Sequence, residues 1–255
     1  MTINPEFRAI VVDLFDTLVR WEPERLPLME LNGRAMRTTM PWIFPRLQQR
    51  LGSAFDQGGF IDTYTGVLEE IALEREREGI EITCWERFVR TLARVSAVSP
   101  QEAEEFAEEL TRIHMSQVRA VTTAPRERVE AMRRLAPHYR LGLLSNFDDA
   151  QCGREVLADT GVAELFEAVI ISAEVRLRKP DPRIFRQMLT MLELAPHEVL
   201  YVGDTPRDDV WGAAQVGIPT VWISKGAASL PDGIPQPQFI IDELSELPRV
   251  LGVSR

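Results

Sequence analysis

Hydrophobic residues follow two different patterns along the chain, and the first consists of short continuous runs. Ile10-Val11-Val12 is a β-branched run bounded by polar and turn-forming residues, which is typical of a buried strand. Similar runs occur at residues 140–144, 168–171, 199–202, 220–223 and 239–241. Helical patterns lie among them at residues 127–135, 150–160, 182–192, 206–216 and 243–251. Strands that alternate with helices of this length predict an α/β fold, with a parallel sheet covered by helices on both faces.

The second pattern fills residues 20–120, where apolar residues recur at helical spacing. Between Tyr64 and Ala72 they lie at positions i, i+3, i+4, i+7 and i+8, on one face of a helix. Similar stripes occupy residues 85–92 and 103–110, and no strand candidate of comparable strength occurs in this stretch. The sequence therefore predicts two domains. Residues 1–19 and 121–255 form an α/β core, and residues 20–120 form an inserted all-helical domain.

The composition is that of an ordinary globular protein and limits the classes of partner. Hydrophobic residues make up 45% of the 255 residues and charged residues 27%, which argues against a disordered or fibrous chain. The net charge of −10 has the wrong sign for a protein that binds nucleic acid or an anionic membrane. No apolar run reaches the roughly 18–20 residues that span a bilayer, and no secretory leader is recognised. We therefore expect a cytoplasmic protein.

Lysine is nearly absent from the chain. Two of the 29 basic residues are lysines, Lys179 and Lys225, and the others are arginines. Any chemistry that requires an amine therefore has two candidates. The cysteines, Cys84 and Cys152, lie far apart in the sequence and indicate neither a disulfide framework nor a zinc site.

Polar residues that could carry chemistry follow the predicted strands. They are Asp13 to Thr17 after the first strand, Ser145 and Asn146 after the second, Lys179 after the third, and Asp204 to Asp209 after the fourth. Ligands of open α/β sheets bind beyond the carboxyl ends of the strands, so we expect these side chains to line one site. Facing carboxylates repel each other, and a hard divalent cation bound through oxygen relieves that repulsion. With a lysine and a hydroxyl, such a cation would stabilise a phosphoryl group while a carboxylate attacks it.

In this order and spacing, the four segments resemble the haloacid dehalogenase-like hydrolase superfamily. The similarity is to the branch whose helical cap is inserted after the nucleophile loop, and it covers essentially the whole chain. It implies a Rossmann-like core with an inserted cap, Asp13 as the nucleophile and Lys179 as the catalytic lysine that balances charge. Candidate substrate-binding residues are Thr17, Ser145 and Asn146.

The same resemblance implies a metal cofactor and a class of substrate. Mg²⁺ would be held by Asp13, Asp204 and the main-chain carbonyl of Phe15, with Asp209 as a further metal-site carboxylate. The substrate would be a small phosphorylated molecule, and no oligomeric state is predicted.

Two of these segments also have a purely structural interpretation. Asp181 and Pro182 fit the N-cap and the first position of a helix. The segment 205–208, Thr-Pro-Arg-Asp, has the form of a capping box, which assigns Asp208 a structural role. Asp209 has no such interpretation and is the preferred residue of the metal shell.

The sequence departs from the pattern of the family's phosphatases at Phe15. Those enzymes carry a second aspartate two residues after the nucleophile, which protonates the leaving group and later activates water. Phenylalanine cannot transfer a proton, and a positioned acid–base group contributes roughly 10² to 10⁴ in rate. Asp16, one residue further on, is a carboxylate that could transfer the proton instead.

Three functions stay open at this point. The first and preferred one is a Mg²⁺-dependent phosphatase that is slow, or that prefers leaving groups needing no proton, such as those of acyl and aryl phosphates. The second is a 2-haloacid dehalogenase, in which the same aspartate displaces halide without a metal. Such enzymes typically have Ser-Asn where this chain has Gly203-Asp204, which argues against that function. The third is a retained fold that serves as a binding or regulatory module.

Overall fold

The computed structural model describes residues 7–31, 33–95 and 99–253 of the chain. The chain forms two compact units, one of Met1–Arg20 with Thr123–Arg255 and the other of Trp21–Thr122. We refer to the first as the core unit and to the second as the inserted unit. Across the described residues, no helix combines the length and the apolar character that crossing a bilayer requires.

The core unit is built on a parallel sheet. The described strands, in chain order, are β1 (Ala9–Val12), β2 (Arg20–Trp21), β3 (Leu28–Leu31), β4 (Arg34–Arg37), β5 (Thr122–Thr123), β6 (Arg140–Ser145), β7 (Phe166–Ile171), β8 (Val199–Gly203), β9 (Thr220–Ile223) and β10 (Phe239–Ile241). Six of them form one sheet in the order β10-β9-β8-β1-β6-β7. Every pairing in this sheet is parallel. The six strands predicted from the hydrophobic runs are therefore confirmed.

Helices follow most of the predicted patterns. The described α-helices are α1 (Met40–Leu51), α2 (Gln57–Glu78), α3 (Cys84–Leu92), α4 (Pro100–Ala120), α5 (Arg126–Leu135), α6 (Ala150–Asp159), α7 (Ser172–Val175), α8 (Pro182–Leu192), α9 (Gly212–Ala214) and α10 (Leu247–Val250). Short 3₁₀ turns cover Pro23–Arg25, Gly52–Ala54, Ala163–Leu165, Pro196–Glu198 and Leu244–Glu246. The helix predicted over 206–216 is instead a π-helical turn, Pro206–Trp211, followed by α9. π-Helical turns of this kind occur frequently at functional sites.

The sheet is buried because its central strands carry apolar residues on both faces. Every residue of β1 and of β8 is buried, as expected for a parallel sheet that lies between layers of helix. Helix α8 covers part of one face, and its Phe185 and Met188 pack with Val11 of β1. As predicted, α8 begins with Asp181 as its N-cap, whose side chain accepts a hydrogen bond from the main-chain N–H of Arg183.

The inserted unit buries the predicted apolar stripes of its long helices. Tyr64, Val67 and Ile71 of α2 are buried, and so are Phe88 and Leu92 of α3. In α4 the buried stripe consists of Ala103, Phe106, Ala107 and Leu110. Both α3 and α4 begin with a complete capping box, which satisfies main-chain donors of their first turns.

The prediction of an all-helical insertion is wrong at one place. Strands β3 and β4 form an antiparallel hairpin in which Leu31 pairs with Arg34, so only positions 32 and 33 lie between the strands. Gly33 has a φ of 74°, which glycine adopts without a steric penalty. The sequence signal was present, since Asn-Gly at these two positions is strongly favoured in two-residue hairpins.

The loop after β1 is held in place by a buried arginine from α5. Arg128, 2% exposed, donates from Nη1 to the main-chain oxygens of Asp16 at 3.2 Å and Val19 at 3.1 Å. Its Nε and Nη2 bind the two carboxylate oxygens of Glu243 at 3.0 and 3.1 Å. All three guanidinium nitrogens therefore connect this loop to the C-terminal segment.

We expect Arg128→Lys to destabilise the core unit by about 1–3 kcal/mol, because lysine keeps the charge but cannot make these bonds together. Urea unfolding of the purified variants measures the change. Arg140→Lys is the control, since Arg140 pairs with Glu167 at the surface and its replacement is expected to stay within about 0.5 kcal/mol. Equal losses in the two variants would contradict the anchoring role of Arg128.

Candidate active site

The predicted site residues meet at one edge of the core sheet. Strands β8, β1 and β6 are neighbours, and their carboxyl ends lead directly to Asp204, Asp13 and Ser145. Lys179 enters from the loop between α7 and α8, and its ammonium lies at the centre of the group. The topology thus brings together residues that are as far apart in sequence as Asp13 and Asp209.

The ammonium of Lys179 binds three oxygen atoms. Its Nζ donates to Asp13 Oδ1 at 2.8 Å, to Asp209 Oδ1 at 2.7 Å and to the Tyr201 hydroxyl at 2.9 Å. The three N–H groups of a lysine are therefore all used. Burial lowers the pKa of Lys179, but the charges of Asp13 and Asp209 outweigh that effect and hold the pKa well above its usual value. Lys179 is a permanent positive charge at this edge.

Asp13 lies in a strongly acidic and buried environment. Burial raises the pKa of Asp13 to about 7, Lys179 opposes the rise, and the nearby charges of Asp209 and Asp204 add to it. The side chain of Asp13 is 10% exposed, so it is largely shielded from water. A bound cation would favour its ionised form, which is the form that acts as a nucleophile.

Asp13, Asp204 and Asp209 form a cluster of oxygen ligands. One carboxylate oxygen from each lies within 4.8 Å of those of the other two. Oxygen donors that carry net negative charge are the ligands that Mg²⁺ and other hard cations prefer. The chemistry of this set therefore fits a divalent cation.

Asp209 is positioned by its own turn. The main-chain N–H of Thr205 donates to Asp209 Oδ2 at 2.8 Å, while Thr205 makes no side-chain cap. The predicted capping box of 205–208 is therefore wrong, because Asp209 provides the acceptor at the start of this turn. The side chain of Asp208 instead accepts a bond of 3.2 Å from Asn146 Nδ2.

The side-chain amide of Asn146 binds the main chain of Lys179. Its Nδ2 donates to the main-chain oxygen of Lys179 at 2.9 Å, and its Oδ1 accepts from the main-chain N–H of the same residue at 2.8 Å. With the bond to Asp208, both N–H donors of the amide are used. The binding of substrate by Asn146 stays a prediction from the sequence.

The two predicted hydroxyl residues lie at the same edge. Ser145 is completely buried, and its Oγ has no hydrogen-bond partner among the described residues. A buried hydroxyl without a partner costs free energy, which a bound oxyanion would recover. Thr17 is also fully buried, and its Oγ1 makes a long bond of 3.4 Å to Asp204 Oδ1.

Phe15 and Asp16 point to different neighbours. The Phe15 ring packs against Phe147, with the ring centroids 4.5 Å apart. Asp16 has a φ of 61°, and its Oδ2 lies 4.0 Å from Lys225 Nζ. Lys225 also donates to Asp204 Oδ2 at 2.9 Å.

The comparisons with known proteins agree on the family. A model of the haloacid dehalogenase-like hydrolase family matches residues 7–217. The chain belongs to this family. It is 32% identical over 230 residues to the phosphoserine phosphatase of Thermus thermophilus, across 86% of this chain and 89% of that protein. It is 35% identical over 127 residues to human N-acylneuraminate-9-phosphatase, which is about half of each chain.

Among solved structures, the 2-haloacid dehalogenase of Pseudomonas syringae pv. Tomato is similar in fold. The TM-score is 0.71 at 21% identity, and the match covers 96% of this chain and 98% of that one. The chain is therefore a hydrolase with a haloacid dehalogenase-like fold. Since its related sequences are phosphatases, a phosphatase is favoured over a dehalogenase.

Sequence reasoning missed three residues at this edge of the hydrolase. Tyr201 lies inside a buried strand, where it is indistinguishable from a core aromatic until its hydroxyl is seen to accept from Lys179. Phe147 follows Asn146 and carries no motif of its own. Lys225 did have a signal, because it is the second of only two lysines.

We expect Gly203→Ala to displace Asp209 and to destabilise the hydrolase by about 1–3 kcal/mol, an overpacking effect. A Cβ at this position would lie 2.3 Å from both Cγ and Oδ2 of Asp209. Thermal unfolding measures the loss, and a crystal structure of the variant shows the displacement of the carboxylate.

Gly66→Ala is the control for Gly203→Ala, because a Cβ there meets nothing within 4 Å and alanine is the better helix former. We expect this control to be neutral or slightly stabilising. An unmoved Asp209 in Gly203→Ala would contradict the packing argument.

Proposed function

We propose that this hydrolase is a Mg²⁺-dependent phosphatase of small molecules that forms an aspartyl-phosphate on Asp13. The observation that carries the proposal is the pairing of a buried Asp13 with Lys179 beside two further carboxylates. Such an arrangement offers an oxygen nucleophile, a fixed positive charge and a set of cation ligands within a few ångströms. These are the parts that phosphoryl transfer requires.

Asp13, Asp204 and the main-chain carbonyl of Phe15 would hold the Mg²⁺, with Asp209 as a further carboxylate of the metal site. The donor set supports this assignment, since each of the three side chains offers a carboxylate oxygen. When bound, the cation neutralises the charge that gathers on the phosphoryl oxygens. Replacing Phe15 leaves its carbonyl in place, so the ligand set does not depend on the side chain.

The chain's own residues then have defined roles in the reaction. An oxygen of Asp13 attacks phosphorus, the bond from phosphorus to the leaving oxygen breaks, and water later hydrolyses the aspartyl-phosphate. Lys179 keeps its positive charge throughout and stabilises the negative charge of the transferring group. Ser145 Oγ, and with it Thr17 Oγ1, would donate to phosphoryl oxygens, which accounts for a buried Ser145 hydroxyl without a protein partner.

The proposed substrates are small phosphorylated molecules. The related sequences include phosphatases of phosphoserine, N-acylneuraminate 9-phosphate and glyceraldehyde 3-phosphate, which differ in their carbon skeletons but share a phosphate ester. The net charge of −10 supports small molecules over nucleic acid. The cytoplasmic location stays a prediction from the sequence.

The Phe15–Phe147 pair places apolar rings beside the nucleophile loop, where the family's phosphatases carry a second aspartate. We therefore propose that the enzyme favours leaving groups that depart without a proton, such as those of acyl and aryl phosphates. Phe15 is the one observation that favours the 2-haloacid dehalogenase as a second candidate, since the family's dehalogenases carry an aromatic residue at this position. Release of chloride from 2-chloropropionate that is insensitive to EDTA would support that candidate.

We expect phosphate release from acetyl phosphate to require Mg²⁺ and to fall at least about 10³-fold in Asp13→Asn, which removes the nucleophile but keeps the shape of the side chain. The measurement is inorganic phosphate with Mg²⁺ and with EDTA. Asp232→Asn, in an exposed loop, should leave the rate unchanged. Turnover by Asp13→Asn at the parent rate would overturn the mechanism.

We expect Phe15→Asp to raise hydrolysis of alkyl phosphates by about tenfold or more, and hydrolysis of acetyl phosphate by much less. The new carboxyl can protonate a poor leaving group, whereas acetate needs no proton. The ratio of the two rates is the measurement, and Phe15→Leu is the control because it opens the same space without supplying an acid. An equal change for both substrates would mean that proton transfer does not limit the enzyme.

A further inference from the structure

Both lysines of the chain bind carboxylates of the candidate active site. Lys179 pairs with Asp13 and Asp209, and Lys225 donates to Asp204 Oδ2 at 2.9 Å. Arginine supplies every other basic residue of the protein. An ammonium is a compact charge on a flexible stem, whereas a guanidinium forms a broad, fixed fork. The occurrence of lysine at these two positions therefore indicates that a compact cation suits both, and at the half-exposed Lys225 the flexible stem also leaves the ammonium free to move.

The backbone holds Lys225 in a conformation that its sequence does not favour. Ser224 and Ala227 close a four-residue turn through a main-chain hydrogen bond of 2.9 Å. The two central residues, Lys225 and Gly226, have φ values of 52° and 82°. Asparagine and glycine are the usual residues at positive φ in such turns, and a lysine is not. The long side chain is retained although the turn itself would be served better by asparagine.

Lys225 and a divalent cation would compete for the same carboxylate, Asp204. Its Oδ2 accepts from Lys225, and its Oδ1 accepts a long bond of 3.4 Å from Thr17 Oγ1. Two cations close to one carboxylate also repel each other. Metal binding at Asp204 is therefore opposed by the ammonium already present.

Asp16 provides a second carboxylate for this ammonium. Its Oδ2 lies 4.0 Å from Lys225 Nζ, and the side chains of Lys225 and Asp16 are 40% and 38% exposed. Both border an open cavity of about 500 Å³ that is also lined by Arg20. The other carboxylates that line the cavity are Asp242, which accepts from the turn at Ser224 and Gly226, and Glu243, which binds Arg128.

We propose that Lys225 is a resident counter-ion of Asp204 that Mg²⁺ displaces, and that Asp16 receives the ammonium when the metal binds. The inference rests on the metal site of the proposed function. Lys225 thereby sets the Mg²⁺ concentration at which the site fills. It is a positioning residue, since it acts on the metal through Asp204.

Calorimetric titration with Mg²⁺ alone, without substrate, tests this exchange at an ionic strength of 0.15 M. We expect Lys225→Met to bind Mg²⁺ at least about fivefold more tightly, within the range of couplings between contacting residues. Methionine keeps the length and the unbranched Cβ of lysine, so the turn is no more strained than before. Arg20→Met removes a charge from the same cavity without touching Asp204, and its affinity should stay within about twofold.

Asp16→Asn tests the receiving carboxylate, and asparagine tolerates the positive φ of this position. We expect about threefold weaker Mg²⁺ binding in this variant, because the displaced ammonium loses its new partner. In the Lys225→Met background the same substitution should change the affinity less than about twofold. An equal loss in both backgrounds would mean that Asp16 acts directly on the metal and would overturn its part in the exchange.

Unchanged or weaker Mg²⁺ binding by Lys225→Met overturns the inference. Lys225→Gln is a second variant that also removes the charge. Thermal unfolding of both variants shows whether a loss of Mg²⁺ binding by Lys225→Met comes from misfolding. The result is separate from the phosphatase assay: tighter binding without phosphate release would support the exchange and reject the proposed function. Absence of Mg²⁺ binding in every variant would reject both.

Discussion

The site depends on one interaction, the buried ammonium of Lys179 between Asp13 and Asp209. Removing an ammonium from water costs several kcal/mol, so it stays charged only where oxygen atoms replace the lost water. Asn146 fixes the main chain of Lys179, and the main-chain N–H of Thr205 fixes Asp209. Asp13 directly follows β1, so the sheet itself sets its position.

At this edge of the sheet, two lysines balance only part of the negative charge of the carboxylates, and this limits what can bind there. Lys179 and Lys225 face Asp13, Asp209, Asp204 and Asp16. Two positive charges among four carboxyl groups leave an excess of negative charge. Burial is the main reason that the pKa of Asp13 rises, and the charges of Asp209 and Asp204 add to the rise while Lys179 opposes it. A divalent cation would remove that excess. A substrate phosphate, itself an anion, would meet strong repulsion at the same edge without one.

Much of this arrangement follows from the sequence. Short β-branched runs identified all six strands of the core sheet, and the rule that sites lie at strand ends brought Asp13, Ser145, Lys179 and Asp204 together. The roles of Tyr201 and Phe147 could not be read in this way, because each depends on a partner from a distant segment. The partners of Asn146 could not be predicted for the same reason, since its amide binds the main chain 33 positions later. The β3–β4 hairpin is different: its Asn-Gly turn was a local signal, and the helical stripes found later in the insertion led to a helical prediction for the whole of it.

The loop after β1 directs three side chains within four residues to different partners. Asp13 binds Lys179, Phe15 packs against Phe147, and Asp16 faces Lys225. The positive φ of Asp16 turns its side chain towards Lys225, and Arg128 donates a hydrogen bond to the Asp16 carbonyl. Because its carboxylate faces Lys225, Asp16 is poorly placed to replace the proton donor that Phe15 lacks. The loop therefore combines the candidate nucleophile with an apolar neighbour and with a carboxylate that faces a lysine.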